Sequence, residues 1–101
     1  MMYKIEVLPA AREDIDEYID YITNICAMPL TAAKIYDSLF ENIYAIAEKP
    51  LLYAVREGLW YMKFGAEVRR VNFKTRAIIY TIEDNIMTIH RVASQSEIYN
   101  R

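Results

Sequence analysis

The apolar periodicity of this 101-residue chain changes once, at Pro50, and nothing else limits its fold as strongly. Tyr3 to Leu8 places Tyr3, Ile5 and Val7 at alternate positions and runs into Pro9, the pattern of a short strand. Pro9 suits the first turn of a helix, where a missing N–H costs nothing. Ala11, Ile15, Tyr18, Ile19, Ile22 and Ile25 then recur at helical spacing, and the acids between them fall towards the N-terminal end, where the helix dipole favours them. Pro29 opens a second helix whose stripe is Ala33, Tyr36, Leu39, Phe40, Ile43, Ile46 and Ala47. The break at residues 24–28 is short enough to make the two helices antiparallel neighbours.

After Pro50 the period shortens. Residues 51–57 read as a connection, and Leu59 to Phe64 fits either a helical turn or a strand, ended by Gly65. Three strands follow at 67–73, 76–82 and 86–93, separated by Lys74-Thr75 and Glu83-Asp84-Asn85, both of hairpin length. Ser94 to Arg101 reads as a tail or a short helix. The order is β-α-α-β-β-β. It predicts an α+β fold, a single domain over residues 1–101, with a small antiparallel sheet packed against an N-terminal helical hairpin.

Composition excludes several classes. Apolar residues make up 54% and charged residues 26%, a globular balance. Cys26 is the only cysteine, so no intramolecular disulfide forms, and a reducing cytoplasm is the expected location. No apolar run approaches ~18 residues, and the opening residues hold no signal-peptide core, so no membrane association is expected. One histidine and one cysteine leave no metal site of the usual ligands, and Gly58 and Gly65 form no phosphate loop. The net charge of −2 conceals an asymmetry. Residues 1–59 hold five Lys/Arg against ten Asp/Glu, whereas residues 60–101 hold seven against four. The basic half offers a surface to an anionic partner, or simply balances the acidic half.

The chemistry-bearing residues are few. Glu13, Asp14, Asp16, Glu17 and Asp20 read as a solvated helix face. His90, flanked by apolar residues in the last strand, is a half-buried residue or a general acid/base. Arg69, Arg70, Lys74, Arg76 and Arg91 lie on or between consecutive strands, where they form a phosphate-binding surface or a solvated outer face. Strand alternation sends Arg69 and Arg70 to opposite faces, so only part of the set shares a surface. Tyr18, Tyr36 and Tyr80 lie on core stripes. Tyr53, Trp60, Tyr61 and Tyr99 do not, and are candidates for partner contact, base stacking or capping the core edge.

Read end to end, the chain resembles the RelE/ParE superfamily of toxins from bacterial type II toxin–antitoxin modules. Residues 3–15 are similar to the opening strand and the "P-x-A-x-x-D-I" helix start, here Pro9, Ala11, Asp14 and Ile15. Residues 68–82 resemble its basic strand, short turn and "Y-x-I-x-Y-x-I" strand, and Ile89-His90-Arg91-Val92 its final strand. Ser96-Glu97-Ile98-Tyr99 looks like the C-terminal "S-E-V-Y" of RelE proteins. The resemblance implies a growth-arresting toxin held by a cognate antitoxin in a hetero-oligomer, needing no cofactor.

Two activities follow from it. ParE-like members inhibit DNA gyrase by binding. RelE-like members are metal-independent endoribonucleases that cut mRNA on the ribosome. For the second, the resemblance carries catalytic roles to Arg70, Arg76, Tyr99 and His90, with Arg69, Lys74 and Arg91 as target-binding residues. Tyr80 matches the family's strand tyrosine. Arg76 stands where an aromatic is common, one position before the usual RelE arginine, which here is Ala77. After the last strand Ala93-Ser94-Gln95-Ser96-Glu97 carries no cation, and the isoelectric point is near 5.4, which disfavours entry into the phosphate-rich ribosomal A site. The gyrase reading is therefore preferred, with the ribonuclease and an inactive toxin that only binds antitoxin as alternatives.

Overall fold

The computed structural model describes residues 3–98. Strand β1 (Lys4–Val7) leads into helix α1 (Pro9–Asp20), which continues as one π-helical turn over Tyr21–Ile25. Helix α2 (Pro29–Glu48) returns, and a 3₁₀ turn (Pro50–Leu52) and short helix α3 (Leu59–Met62) lead to β2 (Arg69–Phe73), β3 (Arg76–Glu83) and β4 (Ile86–Ser94). A 3₁₀ turn over Gln95–Glu97 follows. Pro9 and Pro29 both open their helices as expected, where the absent N–H is one no helical carbonyl would accept. Helix α1 does not simply stop: the Cys26 N–H bonds Tyr21 C=O five residues back, and Ala27 at φ +54° turns the chain. Residues 59–64, open between helix and strand, form α3 and the turn that follows it.

The four strands lie in the order β1-β4-β3-β2. β2, β3 and β4 are antiparallel, but β1 pairs parallel with β4, Val7 opposite Ile89, so the sheet is mixed rather than antiparallel. No turn joins β1 to β4, and alternation reports which side chains are buried, not which strand lies alongside or in which sense. The hairpin turns carry Lys74 and Asp84 at φ +53° and +57°, the sign that tight hairpin turns demand.

The helical hairpin packs on one face of the sheet. Ile15, Tyr18, Leu39, Ile43 and Ile46 meet Ile78, Tyr80, Met87, Ile89 and Val92 there. The opposite face carries a smaller cluster of Tyr61, Val68, Ala77, Ile79, Ala93 and Ile98 under α3 and the C-terminal segment. Ala77 to Tyr80 of β3 are therefore buried consecutively, as befits a strand covered on both sides. The Tyr80 hydroxyl donates to Pro50 C=O at 2.6 Å, and burial pushes its pKa up to about 12.

Four positions, Ala33, Tyr36, Ile25 and Tyr61, depart from expectation. Tyr36 is 37% exposed because Ala32, one turn earlier, faces the core in place of Ala33. Ile25 is exposed at the π turn, which rotates the stripe away from the sheet. Tyr61, expected outside the core, is 2% exposed on the face opposite the hairpin.

Candidate functional site

The five candidate cations of the C-terminal half fall in different settings. Arg91, near the C-terminal end of β4, is bound by carboxylates: its Nε and Nη2 donate to Asp14 at 2.6 and 3.0 Å, and Nη1 and Nη2 to Glu97 at 3.1 and 3.2 Å. Asp14 also accepts the Val92 N–H at 3.0 Å. The paired carboxylates hold the Arg91 proton more firmly than in a free guanidinium, against the opposing pull of burial. A β-bulge makes this possible. Ile79 pairs with Arg91 and Tyr80 with Ile89, leaving His90 as the extra residue in β4 and sharpening the local twist.

Asp14 corrects the solvated-face expectation for the acids of α1. It is 8% exposed, the one buried charged residue among those described. The signal was in the spacing: Asp14 lies three residues after Ala11 and four before Tyr18, on the core stripe itself.

Arg76 shares the hairpin face. Its guanidinium lies 4.7 Å from the centre of the Tyr18 ring, and Nη1 donates to Val92 C=O at 3.3 Å. Arg76 and Arg91 border a cleft of about 400 Å³ whose other charged residues are Glu13, Asp14, Glu17 and Glu97. Four carboxylates against two guanidiniums make that cleft unfavourable for a phosphate.

Arg69 and Arg70 diverge, as alternation requires. Arg69 Nη1 donates to Tyr53 C=O and faces Glu67 at 4.0 Å, anchoring the connection that crosses the sheet edge. Arg70 points to the opposite face, where Nη1 donates to the Tyr61 hydroxyl and Nε to Asn72 Oδ1, both at 2.8 Å. Lys74, in the β2–β3 turn, lies 5.8 Å from the Phe73 ring centre.

His90 contacts Thr81: Nε2 and Oγ1 are 2.8 Å apart, and the imidazole lies 5.5 Å from the Phe64 ring centre. Burial lowers its pKa from 6.5. The unfolded chain therefore takes up the proton first, so this residue contributes stability in full above about pH 6.5. That contribution is lost as pH falls through the depressed value. Urea unfolding of the wild type and His90→Gln should thus show a stability difference that shifts against the wild type between pH 7 and 5. A difference constant with pH would contradict the burial of the imidazole.

The structure therefore brings Arg76 and Arg91 together on one face, and Arg70 with His90 on the other. Tyr99 lies outside the described residues. Tyr61 and Thr81 were missed as partners because neither sits near Arg70 or His90 in sequence. Among the described residues no three His, Cys, Asp or Glu side chains group as metal ligands, and no helix is long and apolar enough to cross a membrane.

The mixed sheet, the helical hairpin and the bulged last strand now have a family. Residues 5–99 match the family described as ParE toxin of type II toxin–antitoxin system, parDE. The chain belongs to the ParE toxin family. Among solved structures the ParE-family fold recurs in a chain of the chromosomal ParDE toxin–antitoxin system from P. aeruginosa, with a TM-score of 0.71 and 18% identity over 92% of this chain and 96% of that one. A copper-bound mutant toxin from Helicobacter pylori is similar at a TM-score of 0.64 and 15% identity, over 97% of this chain and all of that one. No curated protein matches significantly in sequence. This ParE-family chain is accordingly a toxin of a type II toxin–antitoxin module, with the α+β fold of the RelE/ParE superfamily.

Proposed function

We propose that this toxin arrests growth by binding DNA gyrase in the cytoplasm and has no chemistry of its own, and that a cognate antitoxin neutralises it in a hetero-oligomer. The observation that carries this reading is the dispersal of its cations. Ribonucleolytic cleavage needs several cations and a proton-transfer group converging on one phosphate, in a site shaped for the transition state. Here Arg91 is neutralised by Asp14 and Glu97, Arg69 is bound to the Tyr53 carbonyl, and Arg76 borders an acidic cleft. Of the candidate cations only Arg70 shares a face with His90, where Lys63 also lies, its ammonium 5.3 Å from the centre of the Phe64 ring. An isoelectric point of 5.4 further weakens attraction to a ribosomal RNA surface.

The ribonuclease reading retains one specific support: Arg70 with Tyr61, and His90 with Thr81, on the same side of the sheet. A translation reaction in vitro, with mRNA integrity read by primer extension, separates the two. The gyrase reading expects intact mRNA with wild-type toxin. Codon-phased cuts that require ribosomes and disappear with Arg70→Ala or Tyr99→Phe would overturn it.

A further inference from the structure

Helix α3 is a single turn that buries one side and exposes the other. Tyr61 turns inward against the sheet and is 2% exposed, whereas Leu59 is 81% and Met62 65% exposed. Leu59 and Met62 are three residues apart, so they stand on one outward side of the turn. Beside it lies an open cleft of about 520 Å³ bordered by Val55, Met62 and Val68. Its walls lack side chains at Gly58 and Gly65, both at positive φ, and a Cβ at Gly65 would meet nothing within 4 Å. Single exposed apolar side chains are ordinary. Val55, Leu59 and Met62, however, gather within residues 55–62 at one cleft, the pattern of a contact surface.

The charges at the cleft select the occupant. Its rim carries Arg56, Glu57 and Glu67. Glu67 faces Arg69 at 4.0 Å, so that pair balances itself within the chain. Among the described residues Arg56 and Glu57 have no ion-pair partner, and both are exposed. One free cation next to one free acid gives a purely basic or purely acidic segment no net advantage. A second copy of the same surface suits both. A twofold axis passing beside residues 56–57 sets Arg56 against the second copy's Glu57, and Glu57 against its Arg56.

We propose that two copies of the toxin associate through this surface. Leu59 of each copy seats in the other's Val55–Met62–Val68 cleft, and Arg56 pairs with Glu57 across the axis in both directions. Helix α3 lies on the sheet face opposite the helical hairpin, so the hairpin of each copy stays free. The proposal depends on neither the gyrase nor the antitoxin reading.

Sedimentation equilibrium of the purified toxin tests it. Wild type should pass from the 11.9 kDa chain mass to twice that value as concentration rises. A dissociation constant of about 10 µM is expected, in the range of small interfaces. Leu59→Glu should weaken association about tenfold or more, because a carboxylate replaces the apolar side chain that enters the cleft. Arg56→Glu and Glu57→Arg each set like charges together and should each weaken it about tenfold. Both positions are exposed, and the bond from Arg56 to Val68 uses the backbone N–H, which every variant keeps. An equimolar mixture of these two single variants sets two glutamates against two arginines. It should form a heterodimer at the concentrations where wild type dimerises, although each variant alone stays monomeric.

A toxin that remains at the chain mass up to about 500 µM would overturn the proposal. A dimer that Leu59→Glu leaves intact would overturn the assignment and place self-association on another surface. A mixture of the single variants that stays monomeric would overturn the twofold pairing of Arg56 with Glu57.

Discussion

Replacing Asp14 with alanine is expected to lower the unfolding free energy by about 3 kcal/mol, with a fall in melting temperature of about 15 °C. Three bonds explain the size of the effect. The carboxylate takes two from the Arg91 guanidinium and one from the Val92 N–H, joining α1 to the bulged strand β4. Its side chain is 12% exposed, so removal leaves a largely buried guanidinium and a buried N–H without their partner. Glu97, at 45% side-chain exposure, retains part of the Arg91 charge, which keeps the loss at the lower end for a broken buried pair. Glu97→Ala should accordingly cost less than about 0.5 kcal/mol, like other exposed pairs. Urea unfolding monitored by circular dichroism measures both. A loss below about 1 kcal/mol for Asp14→Ala would mean the contact behaves as an ordinary surface pair.

Ile89→Ala is expected to cost about 3 kcal/mol. Ile89 is fully buried at the middle of the sheet, paired with Val7 on one side and Tyr80 on the other, beneath the helical hairpin. Truncation loses the transfer free energy of three carbons and leaves a cavity that β1, β3 and the helices can only partly close. Ile86, in the same strand but 38% exposed, provides the contrast: Ile86→Ala should cost under about 1 kcal/mol. Chemical denaturation should show a lower midpoint at unchanged slope for Ile89→Ala. Equal costs for the two positions would contradict the burial of Ile89 beneath the helical hairpin.

The order of elements was legible because proline and periodicity act locally. Pro9, Pro29 and Pro50 each restrict the backbone where they stand, and the β2–β4 runs are rich in β-forming residues and separated by turns of hairpin length. What could not be read depends on residues distant in sequence. The parallel pairing of β1 with β4 is such a case, and so is the partner of Arg91. Asp14 is the instructive intermediate. Its position on the core stripe was visible, but four neighbouring acids at solvent-facing positions obscured it, and nothing nearby announced a guanidinium from the far end of the chain. Tyr61 failed for a different reason. Helix α3 is a single turn, too short to display a periodic face, so burial on the second side of the sheet left no pattern. The cations were correctly expected not to share one surface, but which of them were neutralised depended on Asp14, Glu97 and the bulge at His90.

Gyrase binding, rather than RNA cleavage, is the action proposed for this toxin. A supercoiling assay with purified gyrase, relaxed plasmid and stoichiometric toxin tests it most directly. Gyrase binding predicts loss of supercoiling that titrates with toxin and returns when antitoxin is added. Undiminished supercoiling at saturating toxin, with growth still arrested in cells, would contradict it.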